Sequence, residues 1–275
     1  MANITAADVS KLRHMTGAGM MDCKKALVEA DGDFERAKEL IRERGLAIAN
    51  KRADKEASEG VVLAKTTKNN TVGVIIALNC ETDFVAKNND FVSLAKSILD
   101  VACKELPSNI DSLKLCKING ITISDLISER SGITGEKMEL AYFDKIEAPQ
   151  VSVYIHMGNK LATVVGLNKV VDSSIGFNVA MQIAAMNPVA VDKDLVPQNV
   201  IDKELEIGRE QARLEGKAEE LLDKIAQGKL QKFFKESTLL NQEFVQEGKI
   251  SVREYLQKND KELTVTSFKR YGLSN

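Results

Sequence analysis

Val72-Gly73-Val74-Ile75-Ile76-Ala77-Leu78 runs directly into Asn79-Cys80-Glu81-Thr82-Asp83-Phe84-Val85-Ala86-Lys87-Asn88, and the fold turns on that junction. The first seven residues are apolar and mostly β-branched, without helical spacing, and read as a strand. Thr82 and Asp83 are turn or N-cap types that begin a helix. Phe84 and Val85 follow at once, which sets a large apolar side chain beside a carboxylate at a strand-to-helix corner. Two readings stay open here. In one, Asp83 caps and Phe84 packs into the core. In the other, Phe84 protrudes as an aromatic anchor for a partner's pocket.

Outward from the corner, residues 61–64 form a second strand-like run, joined to the first through a turn at Asn69-Asn70. Downstream, Phe91, Leu94, Ala95, Ile98 and Val101 lie on one side of a helix over 90–104. A helix near 122–131 and a strand at 137–146 complete a unit with strands on one face and helices on the other. The construction then repeats, with a hairpin at 151–157 and 161–170 and a helix at 175–186. A helix near 252–258 and a strand near 263–271 return the chain to this second unit. The fold class is α+β, with a weak internal duplication of topology.

Two segments differ from this core. Residues 1–45 predict three short helices. Thr5 with Asp8 resembles a capping box, and Gly17-Ala18-Gly19 breaks the first helix. The second covers 20–30, and the third runs from 33 to Gly45. A unit this small is only marginally able to fold alone, and the charged stretch 47–59 reads either as a linker or as extended helix. Residues 197–235 predict two helices joined near Gly216, an antiparallel hairpin whose apolar stripe must cover itself or a partner. The expected division is an N-terminal three-helix domain at 1–54, a core N-subdomain at 55–147 and a core C-subdomain at 148–275 that includes the hairpin.

Composition removes several classes of chemistry. Lys and Arg total 38 against 40 Asp and Glu, a net charge of −2, a poor start for a nucleic-acid binder that must displace counterions. The hairpin mixes both signs along its length, as a solvated face does. No apolar run reaches the roughly 20 residues of a membrane-spanning helix. The start Met1-Ala2-Asn3-Ile4-Thr5 lacks the features of a signal peptide, so a cytoplasmic protein is expected. Only His14 and His156 are present, and the four cysteines have no two-residue spacing, which argues against a metal site or a dithiol. Gly17-Ala18-Gly19 fails as a phosphate loop because Asp22 stands where the third glycine belongs and no strand precedes it. No convergent catalytic set is visible. An RNA-associated adaptor using Lys51-Arg52-Lys55, or a small-molecule enzyme on the α+β core, are the rival classes.

Two longer segments carry a resemblance. Thr16-Gly17-Ala18-Gly19-Met20-Met21-Asp22-Cys23-Lys24-Lys25-Ala26-Leu27 resembles the N-terminal signature of bacterial elongation factor Ts, and the Asn79–Asn88 stretch resembles that family's second signature. Gln182-Ile183-Ala184-Ala185-Met186-Asn187-Pro188, Gly228-Lys229-Leu230-Gln231-Lys232-Phe233-Phe234 and Phe268-Lys269-Arg270-Tyr271 are similar to it as well. The resemblance implies a ubiquitin-associated-type helical domain, a core of two related α+β sandwich subdomains and a hairpin used in dimerisation. It implies a guanine-nucleotide exchange factor for elongation factor Tu, not an enzyme that makes or breaks bonds, with no cofactor. Thr82, Asp83, Phe84 and Val85 would then dislodge the magnesium ion of the GTPase, while Leu12, Met20 and Met21 would dock the N-terminal domain. His156, on the second hairpin, matches a position near the partner or is simply a polar hairpin residue. A homodimer or 2:2 complex through the hairpin is expected, without direct nucleic-acid or membrane binding. Many members continue past the Phe268–Tyr271 motif into a helix that clasps the GTPase. This chain stops at Asn275, and that contact is expected to be missing.

Overall fold

The computed structural model describes residues 4–52 and 54–273. The leader-free reading of Met1, Ala2 and Asn3, and the end at Asn275, lie outside the described residues. Three helices come first, α1 (Ala6–Thr16), α2 (Met20–Glu29) and α3 (Phe34–Lys51). Strands β1 (Glu59–Thr66) and β2 (Val72–Cys80) are followed by the single turn α4 (Asp83–Ala86), then α5 (Asn89–Glu105) and α6 (Ile110–Leu115). A short ribbon of β3 (Lys117–Ile118) and β4 (Ile121–Thr122) leads into α7 (Ile123–Thr134) and β5 (Met138–Glu147). The remaining elements are β6 (Gln150–Ile155), β7 (Leu161–Leu167), α8 (Ser173–Met186), α9 (Gln198–Leu214), α10 (Glu219–Ser237), α11 (Val252–Asn259) and β8 (Val265–Gly272).

The strands form two antiparallel three-stranded sheets, ordered β1-β2-β5 and β6-β7-β8. In each, a hairpin comes first, a helix follows, and a distant third strand pairs with the second. The two sheets lie face to face. Val61, Leu63, Val74, Ile76 and Leu78 pack on Phe91, Ala95 and Ile98 of α5. The opposite face, with Val62, Ala64, Ile75 and Ala77, meets Val151, Ala162 and Val164 of the second sheet. Val165 and Leu167 then turn outward onto Ile175, Val179 and Ile183 of α8. Helix, sheet, sheet and helix are thus stacked in four layers. This is why β2 is apolar without a break from Val72 to Leu78: every residue from Gly73 to Cys80 is buried, because both faces are covered. Gly73 marks a close approach of the sheets, where an added Cβ would stand 2.4 Å from Val164 and 2.5 Å from Val151.

The three-helix unit forms as its local signals require at the start. Thr5 Oγ1 accepts from the Asp8 amide and the Asp8 carboxylate accepts from the Thr5 amide, a complete capping box. Gly17 closes α1 at φ 73°. The expected end of the third helix at Gly45 is corrected: α3 continues to Lys51. Gly45 is a contact residue. A Cβ on Gly132 of α7 would lie 2.0 Å from the Gly45 Cα, so the two helices cross backbone to backbone. Ile133 of α7 also packs against the core of the three-helix unit.

The antiparallel pair α9 and α10 covers its own seam. Ala212, Leu222, Ala226 and Leu230 are buried, and Gly208 lies against Ala226. Gly216 reverses the chain at φ 72°. Leu214 and Leu221, beside that reversal, stay exposed. No helix among the described residues is long and apolar enough to cross a membrane.

Candidate partner-binding corner

Thr82 ends the strand and starts the helix. Its backbone is extended (φ −122°, ψ 155°), and its Oγ1 accepts from the Val85 amide at 3.4 Å. The same hydroxyl donates to Glu136 Oε1 at 2.7 Å, and the Thr82 amide donates to Oε2 at 3.0 Å. One carboxylate, from the approach to β5, therefore holds both polar groups of the capping residue. Beneath it, the buried Cys80 thiol donates to the Thr82 carbonyl at 3.2 Å. Burial pushes that thiol up to about 12, so it stays protonated and unreactive. Asn88 then caps α5 by accepting from the Asp90 amide at 2.8 Å.

With α4 limited to one turn between two caps, successive side chains diverge by about 100°. Ala86 is buried and Val85 packs against the first-sheet core. Phe84 is 83% exposed. The core reading of Phe84 is thereby overturned, and so is capping by Asp83, because Thr82 is the cap. Asp83 instead pairs with Lys87 at 2.6 Å, and that bond holds its carboxyl below the usual range.

The turn between β6 and β7 reaches the same end of the molecule. The Asn159 carbonyl accepts from the Val62 amide at 2.6 Å, and Lys160 pairs with Glu59 at 2.8 Å. The Lys160 charge adds to the lowering of the Asp83 carboxyl, and Lys87, raised chiefly by its bond to Asp83, is raised a little further by the Glu59 charge. Met157, 88% exposed, stands on that turn. His156 is exposed beside it, with Nδ1 at 2.9 Å from the Tyr154 hydroxyl. The structure therefore brings Thr82, Asp83, Phe84, Val85 and His156 to one end of the sheets, with a second apolar side chain, Met157, that sequence reasoning passed over.

Met20 and Met21 on α2 are exposed, 40% and 63%, with Met15 and Val28 exposed on the same unit. Leu12 is different. It has no exposed surface and lies in the core with Leu27, Ala37 and Leu40. Its expected place on the docking face is corrected to a supporting one: it holds the helices that present the two methionines.

Arg52 and Glu81 lie behind the corner that Glu136 holds. The sequence offered Arg52 only as part of the basic Lys51-Arg52-Lys55 group and Glu81 only as a member of the Asn79–Asn88 stretch, and assigned Glu136 no role. Arg52 Nε and Nη2 donate to the two Glu81 oxygens at 2.7 and 2.5 Å, and the Lys137 amide donates to Glu81 Oε1 at 2.5 Å. The Arg52 guanidinium, seconded by that amide, holds the Glu81 carboxyl down at about 2. These partners are separated by 29 and 56 residues, beyond the reach of any local spacing rule.

A family model described as "Elongation factor TS" matches residues 81–275. The elongation factor Ts of Christiangramia forsetii is 51% identical, over 99% of this chain and 100% of its own length. That of Porphyromonas gingivalis is 50% identical over 98% of each, and that of Bacteroides thetaiotaomicron is 42% identical over 98% of each. The chain belongs to the elongation factor Ts family. It is accordingly related to translation elongation factors and to the elongation stage of protein biosynthesis. As the elongation factor Ts model begins at Glu81, it takes in Thr82–Val85 and His156. Leu12, Met20 and Met21 precede it but fall within the near full-length alignments.

Proposed function

We propose that this chain is a guanine-nucleotide exchange factor that binds elongation factor Tu in its GDP form and promotes GDP release by disturbing the magnesium and phosphate site. The observation that carries this reading is the exposure of Phe84 on a short helix anchored by its Thr82 cap, by Val85 and by the buried Ala86. A side chain of that size, left in water on a braced corner, is suited to enter a partner's apolar pocket. Asp83 enters beside it.

The mechanism needs no covalent step. A GTPase retains GDP through phosphate-cradling amides and an octahedral magnesium ion that tolerates little distortion. Phe84 and Asp83, driven between the elements around that site, displace the magnesium surroundings and loosen the diphosphate. Acceleration requires tighter binding to the nucleotide-free GTPase than to the GDP-bound one. By reciprocity, GDP weakens the complex by the same factor. GTP then rebinds and expels the exchange factor.

In this reading the domains are 1–54, 55–147 and 148–275, the first being of the ubiquitin-associated type. Met20 and Met21 dock the first domain on the GTPase, and His156 with its turn makes a further contact. The factor acts in the cytoplasm, makes no direct contact with nucleic acid or membrane, and pairs with a second copy through the hairpin at about 197–235. The decisive experiment loads elongation factor Tu with fluorescent GDP and adds substoichiometric protein. Catalytic acceleration of release supports the reading; unchanged release with both proteins folded ends it.

A further inference from the structure

The segment between the three-helix unit and β1 is strapped to the corner by two side chains, two residues apart. Asn79, on β2, is buried and donates its side-chain amide to the Ala57 carbonyl at 2.9 Å. Its Oδ1 is buried with no hydrogen-bond partner among the described residues, a costly arrangement that an apolar residue would avoid. Glu81, just past the end of β2, holds Arg52 in a two-pronged ion pair, its side chain only 15% exposed. Between the two anchored points the chain turns, with the Lys55 amide bonded to the Arg52 carbonyl. Both anchors therefore lie within five residues of Phe84. On the far side of the strap is the unit that carries Met20 and Met21.

Two separate contact surfaces joined by a loose segment bind as two weak sites. Joined at a fixed angle, they bind as one, because the second contact is made at a high effective concentration. We propose that Arg52, Glu81 and Asn79 are positioning residues that, together with the crossing of α3 and α7 at Gly45 and Gly132, fix the three-helix unit relative to Phe84, so that both surfaces meet the GTPase together. This rests on the exchange reading above and assigns these three side chains a role apart from partner contact. Glu81 braces in two directions at once: toward Arg52, and toward the Lys137 amide at the foot of β5. The strap and the Phe84 corner are thus referred to a single carboxylate.

The test uses the full-length protein and two variants that leave the apolar core intact, Glu81→Gln and Arg52→Met. Hydrogen exchange over residues 50–58, and tryptic cleavage after Lys51 and Lys55, are followed without any GTPase. Both variants are expected to lose protection there, with cleavage about 10-fold faster. In a GDP-release titration, the concentration for half-maximal release rises about 10-fold while the limiting rate is unchanged. In a Met20→Ala, Met21→Ala background, Glu81→Gln has no further effect, since the surface it positions is gone. Unaltered protection over 50–58 overturns the strap. A lower limiting rate with an unchanged half-maximal concentration, or full additivity with the methionine changes, overturns the positioning role by placing Glu81 in the corner itself. A wild-type protein that fails to accelerate release overturns the exchange reading and the positioning with it, and the hydrogen-exchange arm reads the strap independently.

Discussion

Phe84→Ala separates stability from function at one position. With 83% of the residue exposed, only about a sixth of an aromatic side chain's roughly 150–250 Å² is covered. At about 25 cal/mol per Å², that is about 1 kcal/mol or less of burial. Alanine is at least as good a helix former in this turn, so the net loss is smaller still. For a chain of this size the melting temperature should fall by no more than about 4 °C. A core phenylalanine would cost roughly 3–5 kcal/mol. Loss of an aromatic anchor at an interface costs about 2 kcal/mol or more, which is about a 30-fold weaker effect on GDP release. Paired thermal melts and release rates with fluorescent GDP on elongation factor Tu measure both. Undiminished exchange by a folded variant, or a melt lowered by 10 °C or more with exchange falling only in step with unfolded protein, would refute the wedge.

Four further outcomes are expected. Thr82→Val removes the cap of α4 and one of the two donors to Glu136, and should cost about 1–3 kcal/mol in urea unfolding, with Thr82→Ser close to wild type. Because folding depresses the Glu81 carboxyl from the ordinary 4.5 to about 2, its contribution is full above pH 4.5 and disappears as pH falls toward 2. The stability gap between wild type and Glu81→Gln should therefore close over that window in denaturant midpoints measured from pH 6 to 2. Gly132→Ala forces a Cβ to within 2.0 Å of the Gly45 backbone; about 1–3 kcal/mol of destabilisation is expected by thermal melting, and an unchanged melt would contradict the close crossing. Lysine at both Leu214 and Leu221 should abolish self-association in light scattering, and a wild-type chain that is monomeric at high concentration would remove the hairpin from that role.

The elements that rest on neighbouring residues were legible from the chain alone. Thr5 and Asp8 cap α1 because the partners are three residues apart. The β2 run and the Gly216 reversal are similarly local, since strand periodicity and a left-handed turn leave their marks within a few positions. The motif resemblance likewise placed the chain in its family without coordinates. The candidate site was legible as a stretch, Thr82 to Val85, but not as a geometry.

What the tertiary structure decided were matters of what lies across from a residue. Phe84 and Leu12 are both large and apolar, yet one stands in water and the other has no exposed surface. Composition cannot distinguish them, because exposure depends on elements packed from elsewhere in the chain. Gly45 reads locally as a helix stop and proves to be a helix crossing, since its partner Gly132 is 87 residues away. The same holds for Glu81, whose carboxylate is flanked by the acidic Asp83 in sequence and by a guanidinium and an amide in space. Sequence determined the local conformations, where forces act between near neighbours. The fold determined which side chains face solvent and which charges meet, because those depend on contacts between residues far apart along the chain.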